Sequence, residues 1–449
     1  MSALVVRSER VVVPAGIQPL SIHVRDGRIV ALRPYAERPA GVDTIDAGSL
    51  VVLPGLVDTH VHINDPGRAD WEGFEHGTRA AAAGGVTTIV DMPLNSVPST
   101  TTVDALEAKR RAADGRCYVD VGFWGGVVPG NAADLEPLAR AGVLGFKCFL
   151  SPSGVDEFEH VTEADLREAM PIVARLALPL LAHAEFPSLL TDPSNDDPRR
   201  HDTWLRSRPP ESEVAAIALL IDLARQFGTR VHIVHLAAPE ALPIIAAARQ
   251  SGVTLTVETC PHYLSFCAEE IPDGATPFKC APPIRERERR ERLWQALVRG
   301  EIDLIATDHS PAPPALKGLT DGDFVRAWGG IASLQLGLAA VWTGAAARGM
   351  PIEWMARWLA DAPAQLAGLN GTKGAIAVGR DADFAIVDPD AEIVVDAAAL
   401  YHRHPITPYA GLRLCGVVRQ TILRGQRIVD DGSVARVPSG GLVYNPHLT

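Results

Sequence analysis

The chain has 449 residues, a formal net charge of −12 and no basic run; it exceeds one hydrophobic core, so two or more domains are expected, and its charge argues against a nucleic-acid partner. No run of eighteen apolar residues occurs, and the opening MSALVVRSERVVV lacks the zones of a signal peptide, so neither a membrane span nor secretion is expected. Six scattered cysteines (Cys117, Cys148, Cys260, Cys267, Cys280 and Cys415) form no CxxC pair, which fits free thiols in a reducing cytoplasm rather than disulfides or a thiolate metal site.

Residues 1–53 read as short β segments at 4–6, 10–13, 21–25 and 28–32, with Asp26-Gly27 marking a hairpin. From 54 the pattern changes. Apolar strand-like runs at 56–63, 87–92, 119–124, 144–150, 179–184, 231–236, 254–259 and 302–307 alternate with alanine-rich helical stretches at 77–83, 103–113, 132–141, 162–176, 211–227, 240–251 and 285–300. Alternating βα units imply parallel strands, and eight of them predict an α/β fold, a (β/α)8 TIM barrel over residues 54–370. Residues 354–367 read as a late helix packed on that barrel. After 371 the β character returns at 382–387, 393–395, 417–424 and 426–429. Segment 371–449 is therefore expected to join 1–53 in a small β-sandwich domain. The glycines at 84 and 85 precede a strand rather than open a helix, the wrong order for a phosphate loop.

The chain is organised around VVLPGLVDTHVHIN, residues 51–64. On a strand, His60 and His62 share a face, and two imidazoles about 7 Å apart can converge on a metal ion at the strand end. Alone, an HxH pair is equally compatible with solvated loop histidines. The other strands add to it: the fourth carries Lys147, the fifth His183, the sixth His235, and the eighth ends at Asp308. In a barrel these carboxyl ends are where active sites form. A buried ammonium at Lys147 in GFKCFL is a misfit, because it costs several kcal/mol unless paired or modified. Four histidines and one aspartate are enough for two metal ions if one anionic group bridges them. A lysine carboxylated by CO2 would be such a group, since its carbamate presents two oxygens and a negative charge. Two ions about 3.5–4 Å apart suit hydrolysis.

These residues resemble the amidohydrolase superfamily, specifically its cyclic-amidase branch. The stretch HVHINDPGRADWEGFEHGTRAAAAGGVTTIVDMPLNS is similar to that of allantoinases, and GFKCFLSPSGVDEF, VETCPHYL, FKCAPPIRE, ATDHSPAPPALK, AWGGIASLQ and GAIAVGRDADFAIVD carry the likeness along nearly the whole chain. The resemblance implies His60 and His62 on the more buried ion and His183 and His235 on the more exposed one. Carboxylated Lys147 (N6-carboxylysine) would bridge, and Asp308 would ligate and serve as general base, then acid. It implies zinc, with cobalt, iron, manganese or nickel as substitutes, and a metal-bridging hydroxide attacking the cyclic amide of allantoin to give allantoate. A homotetramer is also implied. Asn95 in MPLNS and Cys280 in FKCAPP, just past strands two and seven, are substrate-contact candidates.

Two alternatives stay open. Dihydroorotases carry an arginine after the HxH pair, where this chain has Asn64. Hydantoinases and dihydropyrimidinases share the metal set but place an aromatic, often tyrosine, in the loop after the lysine; residues 151–155 read SPSGV, leaving room for a ureido substituent. Some relatives of this fold lose the ligands and act as metal-free assembly proteins, whereas all six ligand-type residues are kept here. Among other histidines, His309 is expected to point away from the ions and serve structurally, His232 to pack under a helix on the opposite strand face from His235, and His76, His160 and His201 to be solvated. His262 is a further polar candidate near the site.

Overall fold

The computed structural model describes residues 3–445. Eight short parallel strands follow one another round a ring: Leu56–Val61, Val86–Asp91, Asp120–Phe123 continued by Gly125–Gly126, Phe146–Phe149, Pro179–His183, Arg230–Ile233, Leu255–Thr259 and Leu304–Ile305. The eighth position closes on the first through a parallel bridge between Val61 and His309 and a hydrogen bond from His62 N to His309 O of 2.8 Å. These are the eight runs picked out by apolar sequence. Strands buried on both faces carry no alternation of apolar and polar residues, which is why they read as continuous runs. In the sixth strand, Val231 and Ile233 share the main core with Ile217 and Leu220 of the covering helix Pro210–Phe227. Leu181, Val234 and Leu304 belong to a second cluster around Trp124.

The covering helices start and stop where local chemistry dictates. Thr162 and Asp165 cap Glu163–Arg175 reciprocally, each side chain meeting the other's backbone N–H. Helix Pro210–Phe227 ends at Gly228, whose φ of 72° suits a residue without a Cβ. The expected late helix at 354–367 is broken into Glu353–Ala356, a wider turn over Arg357–Asp361, and Ala362–Leu366. Its Trp358 is buried between Trp354 and Trp294, with ring centroids 5.3 and 6.5 Å away.

The segments flanking the barrel form one nine-stranded sheet. Its order runs Ser433–Val434, Gln426–Asp430, Arg413–Leu423, Phe384–Val394, Val51–Pro54, Ala3–Val13, Gly16–Arg25 and Arg28–Pro34, with Asp43–Asp46 also paired to Ala3–Val13. Residues 4–6 and 10–13, read as separate segments, lie on this single first strand. Its register shifts between Ser8 and Val11: the first half pairs with Asp43–Asp46 and the second with Val51–Pro54. Ser8 Oγ donates to Leu50 O at 2.5 Å across that irregularity. The sheet encloses its own core of Val6, Ile22, Phe384 and Ile422. Val51–Pro54 pairs antiparallel with Phe384–Val394, so the strand entering the barrel and the strand leaving it are neighbours.

A buried charge cluster ties the two parts together. Lys373 Nζ lies 2.6 Å from Asp120 Oδ2 on the third barrel strand, 3.0 Å from Asp381 and 2.7 Å from Asp383, and Arg424 also pairs with Asp120. Burial alone would lower the lysine's pKa, but the three carboxylates hold it charged, above its ordinary value.

Candidate metal centre

Each of the six ligand-type residues sits at or just beyond a carboxyl end of the ring. His60 lies within the first strand and His62 just after it; Lys147 is inside the fourth strand and His183 ends the fifth. His235 and Asp308 lie past the sixth and eighth strands, and both take a left-handed backbone, with φ of 41° and 47°. Such angles are strained for a non-glycine residue and cluster at functional sites. Asn64 and Asn95, on the loops after strands one and two, share this conformation at φ 65°.

The side chains converge. His60 Nε2 lies 3.1 Å, and His62 Nε2 3.4 Å, from Asp308 Oδ1. His183 Nδ1 lies 3.0 Å from His235 Nε2, and the His60 and His235 rings are 5.4 Å apart. Ligand-type atoms of His60, His235 and Asp308 fall within 4.8 Å of one another. Lys147 Nζ is fully buried with no hydrogen-bond partner among the described residues, 4.2 Å over the Phe149 ring.

Two buried carboxylates set the direction of the imidazole lone pairs. Glu258 Oε1 accepts His60 Nδ1–H at 2.5 Å, which turns His60 Nε2 toward Asp308. Glu185 Oε2 accepts His183 Nε2–H at 2.6 Å, which turns Nδ1 toward His235. Glu185 is in turn paired with Arg208. Carboxylates behind imidazoles fix tautomer and orientation in this way at metal sites. Burial lowers the pKa of His62, His183 and His235, keeping those rings neutral and able to ligate. For His60 burial acts the same way, but Asp308 and Glu258 outweigh it and raise the pKa. Burial would raise Asp308, yet His60, His62 and His235 around it hold it well below the usual range, so it stays ionised. Burial also lowers Lys147, to about 8, which makes its uncharged, carboxylatable amine accessible near neutral pH.

This donor set fits a two-cation centre: four imidazoles, one ionised carboxylate and one orphaned amine whose carbamate would supply the missing anionic oxygens. A cavity of about 240 Å³ opens directly on it. Asn95 and Cys280 line that cavity, as do Pro152, Ser153 and Gly154 of the short loop after Lys147. Asn95 Nδ2 is 3.5 Å from His62 Nδ1. Cys280 presents a carbonyl that accepts from Trp204 Nε1 at 2.8 Å.

Sequence reasoning missed Glu258, Glu185, Trp204, Arg208, Lys279 and Trp328. Glu258 had a signal, a carboxylate inside the apolar run of VETCPHYL; the four cavity-lining residues lie on loops and short helices that carry no periodicity. The other histidine expectations need correction or detail. His232 does not pack under a helix: its Nε2 lies 3.0 Å from Glu258 Oε2 and its Nδ1 2.8 Å from Thr256 Oγ1. Alternation failed because the strand ends at Ile233 and His235 reaches the same interior through its left-handed backbone. His201 is buried, not solvated, at 3 % exposure against Phe324, and burial lowers its pKa to about 4; His76 and His160 are half-buried. His309 turns to accept backbone N–H groups from Ser333 (3.1 Å) and Leu334 (3.3 Å). His262 is buried beside Cys260 and Asp308, its ring nitrogens without hydrogen-bond partners among the described residues.

The amidohydrolase family model matches residues 51–428. An allantoinase of Streptomyces avermitilis is 53 % identical over 442 residues, covering 98 % of both chains. An allantoinase of Arabidopsis thaliana is 45 % identical, covering 97 % of this chain and 90 % of its own. Among solved structures, an L-hydantoinase (dihydropyrimidinase) from Arthrobacter aurescens superposes with a TM-score of 0.93 at 31 % identity, covering 99 % of this chain and all of its own.

Proposed function

The chain belongs to the amidohydrolase family, and from that membership we infer that it is a hydrolase of cyclic amides that opens allantoin to allantoate. The observation that carries the chemistry is the convergence of His60, His62, His183, His235 and Asp308 at the floor of one cavity, with the orphaned Lys147 amine buried near enough to act on His60, His183 and His235.

We assign His60 and His62 to one divalent cation, His183 and His235 to a second, and carboxylated Lys147 to both, with Asp308 as a further ligand. Zinc suits these donors, as do cobalt, iron, manganese and nickel. When bound, two such ions lower the pKa of water and polarise the carbonyl under attack. The protein's own part follows from its geometry. Asp308, ionised and positioned by His60 and His62, takes the proton from the attacking water and returns it to the departing ring nitrogen. Glu258 and Glu185 hold their imidazoles in the ligating tautomer throughout. Asn95 and Cys280 contact the substrate, the cysteine through its backbone.

The test is allantoate release by the purified, metal-replete protein, with hydantoin, dihydrouracil and dihydroorotate beside allantoin. A strong preference for allantoin establishes the substrate. Preference for hydantoin or dihydrouracil overturns it in favour of the reaction named for the L-hydantoinase neighbour, leaving the metal assignment in place. We further propose a homotetramer in a reducing cytoplasm. The latter draws support from six free cysteines, five of them buried; light scattering and thiol titration test the two. No helix among the described residues is long and apolar enough to cross a membrane.

A further inference from the structure

Two lysines beside the cavity have no part in the chemistry above. Lys279 and Lys317 are only 5 % and 3 % exposed. Neither forms an ion pair among the described residues, and burial lowers their pKa to about 7 and about 8. Their protons go to four main-chain carbonyls instead. Lys279 Nζ donates to Val325 O at 3.0 Å and Ala327 O at 2.6 Å. Lys317 Nζ donates to Trp328 O at 3.2 Å and Gly330 O at 2.6 Å. All four acceptors lie within 325–330, VRAWGG.

The same stretch is pinned from its backbone. Trp328 N donates to Leu316 O at 2.7 Å and Gly330 N to Lys279 O at 2.8 Å. Gly330 has φ of 118°, and a Cβ there would lie 2.4 Å from Ser310 O. Burying two ammonium groups without a carboxylate is unfavourable, so a segment held this way is held in place rather than merely packed. What it places is the Trp328 side chain. That indole lines the cavity and meets Trp71 edge-on at 5.0 Å. It also borders the loop after Lys147, where a Cβ on Gly154 would come within 3.5 Å of the ring. The SPSGV loop, which brings no aromatic of its own, is therefore faced by an aromatic delivered from beyond the eighth strand. Lys279 also lies 4.2 Å over the Trp204 ring, so it touches a second cavity wall.

We propose that Trp328 is a specificity-determining residue, the wall on which the planar substrate ring and its ureido substituent rest beside the SPSGV loop, and that Lys279 and Lys317 are positioning residues that hold it through the carbonyls of 325–330. A flat amide ring against an indole face is a favourable pairing of π-systems. The proposal rests on the cyclic-amide reading, which supplies a planar ring as the ligand.

The test uses the full-length, metal-replete protein. Trp328→Ala, Trp328→Phe, Lys317→Met and Lys279→Met are assayed on allantoin and unsubstituted hydantoin, and hydrogen exchange is followed across 325–330. Trp328→Ala is expected to raise KM for allantoin about tenfold with kcat held within about threefold, and to compress the selectivity over unsubstituted hydantoin, which lacks the ureido group, by a similar factor. Trp328→Phe retains most of the wild-type ratio. Lys317→Met and Lys279→Met reproduce the KM shift and speed exchange of the 326–330 amides, and the Trp328→Ala/Lys317→Met double variant adds no more than about twofold to KM. Unchanged KM and selectivity in Trp328→Ala overturns the wall. A KM shift in the lysine variants without faster exchange overturns the latch. Trp328 is only partly buried, so its variants are readable even where a lysine variant does not fold. If the wild type prefers hydantoin, the substrate reading fails, while the effect of Trp328→Ala on the ratio still decides the wall.

Discussion

Glu258→Gln isolates what the carboxylate behind the histidines contributes. Glu258 accepts His60 Nδ1–H at 2.5 Å, His232 Nε2–H at 3.0 Å and the backbone N–H of His235 at 3.3 Å, and it is fully buried. Glutamine keeps the shape but replaces one acceptor oxygen with a donor. One imidazole N–H then faces an N–H, and the other loses a charged partner. A hydrogen bond to a charged group contributes about 1.5–3 kcal/mol, and each 1.4 kcal/mol is about tenfold in an equilibrium. The expected loss is therefore roughly 10- to 100-fold in metal affinity, the range found for partners behind metal ligands. Chelator titration followed by metal analysis reads this directly. Glu258 does not line the cavity, so KM for the substrate should stay near wild type while kcat falls with metal occupancy. A Glu258→Gln protein that holds its metal against chelator as wild type does would refute the orienting role.

Three further outcomes follow from other sites. Lys147→Ala should lose activity and most bound metal, with partial recovery on adding a short-chain carboxylate; full activity without that addition would contradict the bridging assignment. Glu185 is raised by burial but held at about 2 by Arg208 and His183, below the ordinary 4.5. A depressed carboxylate adds stability that is complete above the unfolded value and disappears as pH falls from about 4.5 to about 2, here about 3 kcal/mol. Urea titrations between pH 7 and pH 3 should show wild type losing stability more steeply than Glu185→Gln; parallel curves would remove Glu185 from that role. Lys373→Met leaves Asp120 and Asp383 buried together, with Asp381 at their partly exposed edge, so a loss of about 3–5 kcal/mol is expected, visible as a large drop in Tm. A shift of a degree or two would show that Arg424 on Asp120 and Arg28 on Asp381 satisfy the cluster without the lysine.

The barrel was legible because its strands are short, apolar on both faces and separated by helical stretches, so the continuous apolar runs mark them. The ligand-type residues were legible because ionisable side chains at the ends of apolar runs are conspicuous. Much of what lay on the loops farther beyond the strands was not. Side-chain alternation placed His232 on the wrong face because His235 leaves the strand with a positive φ, which no pattern in VHIVHL announces. Trp204, Arg208 and Trp328 reach the cavity from loops and short helices whose positions depend on tertiary packing. Glu258 was visible as a carboxylate in an apolar strand, but only the three-dimensional partner, His60, gives it a reason. The late helix at 354–367 illustrates the limit within a helix: its composition was right, and the wider turn at Arg357–Asp361 left no trace in it.

The pairing of Val51–Pro54 with Phe384–Val394 has a consequence for synthesis. The two strands are separated by the whole barrel, so at about 5–20 residues per second the ribosome takes roughly 20–60 s to deliver the second after the first. For that interval the emerging nascent chain carries an open β edge along Val51–Pro54, the kind of template on which other chains add. A chaperone that shields this edge, or a barrel that folds quickly enough to bury it sterically, would then govern the yield of soluble enzyme. Ribosome-stalled chains ending before residue 384 would be the species to examine for aggregation.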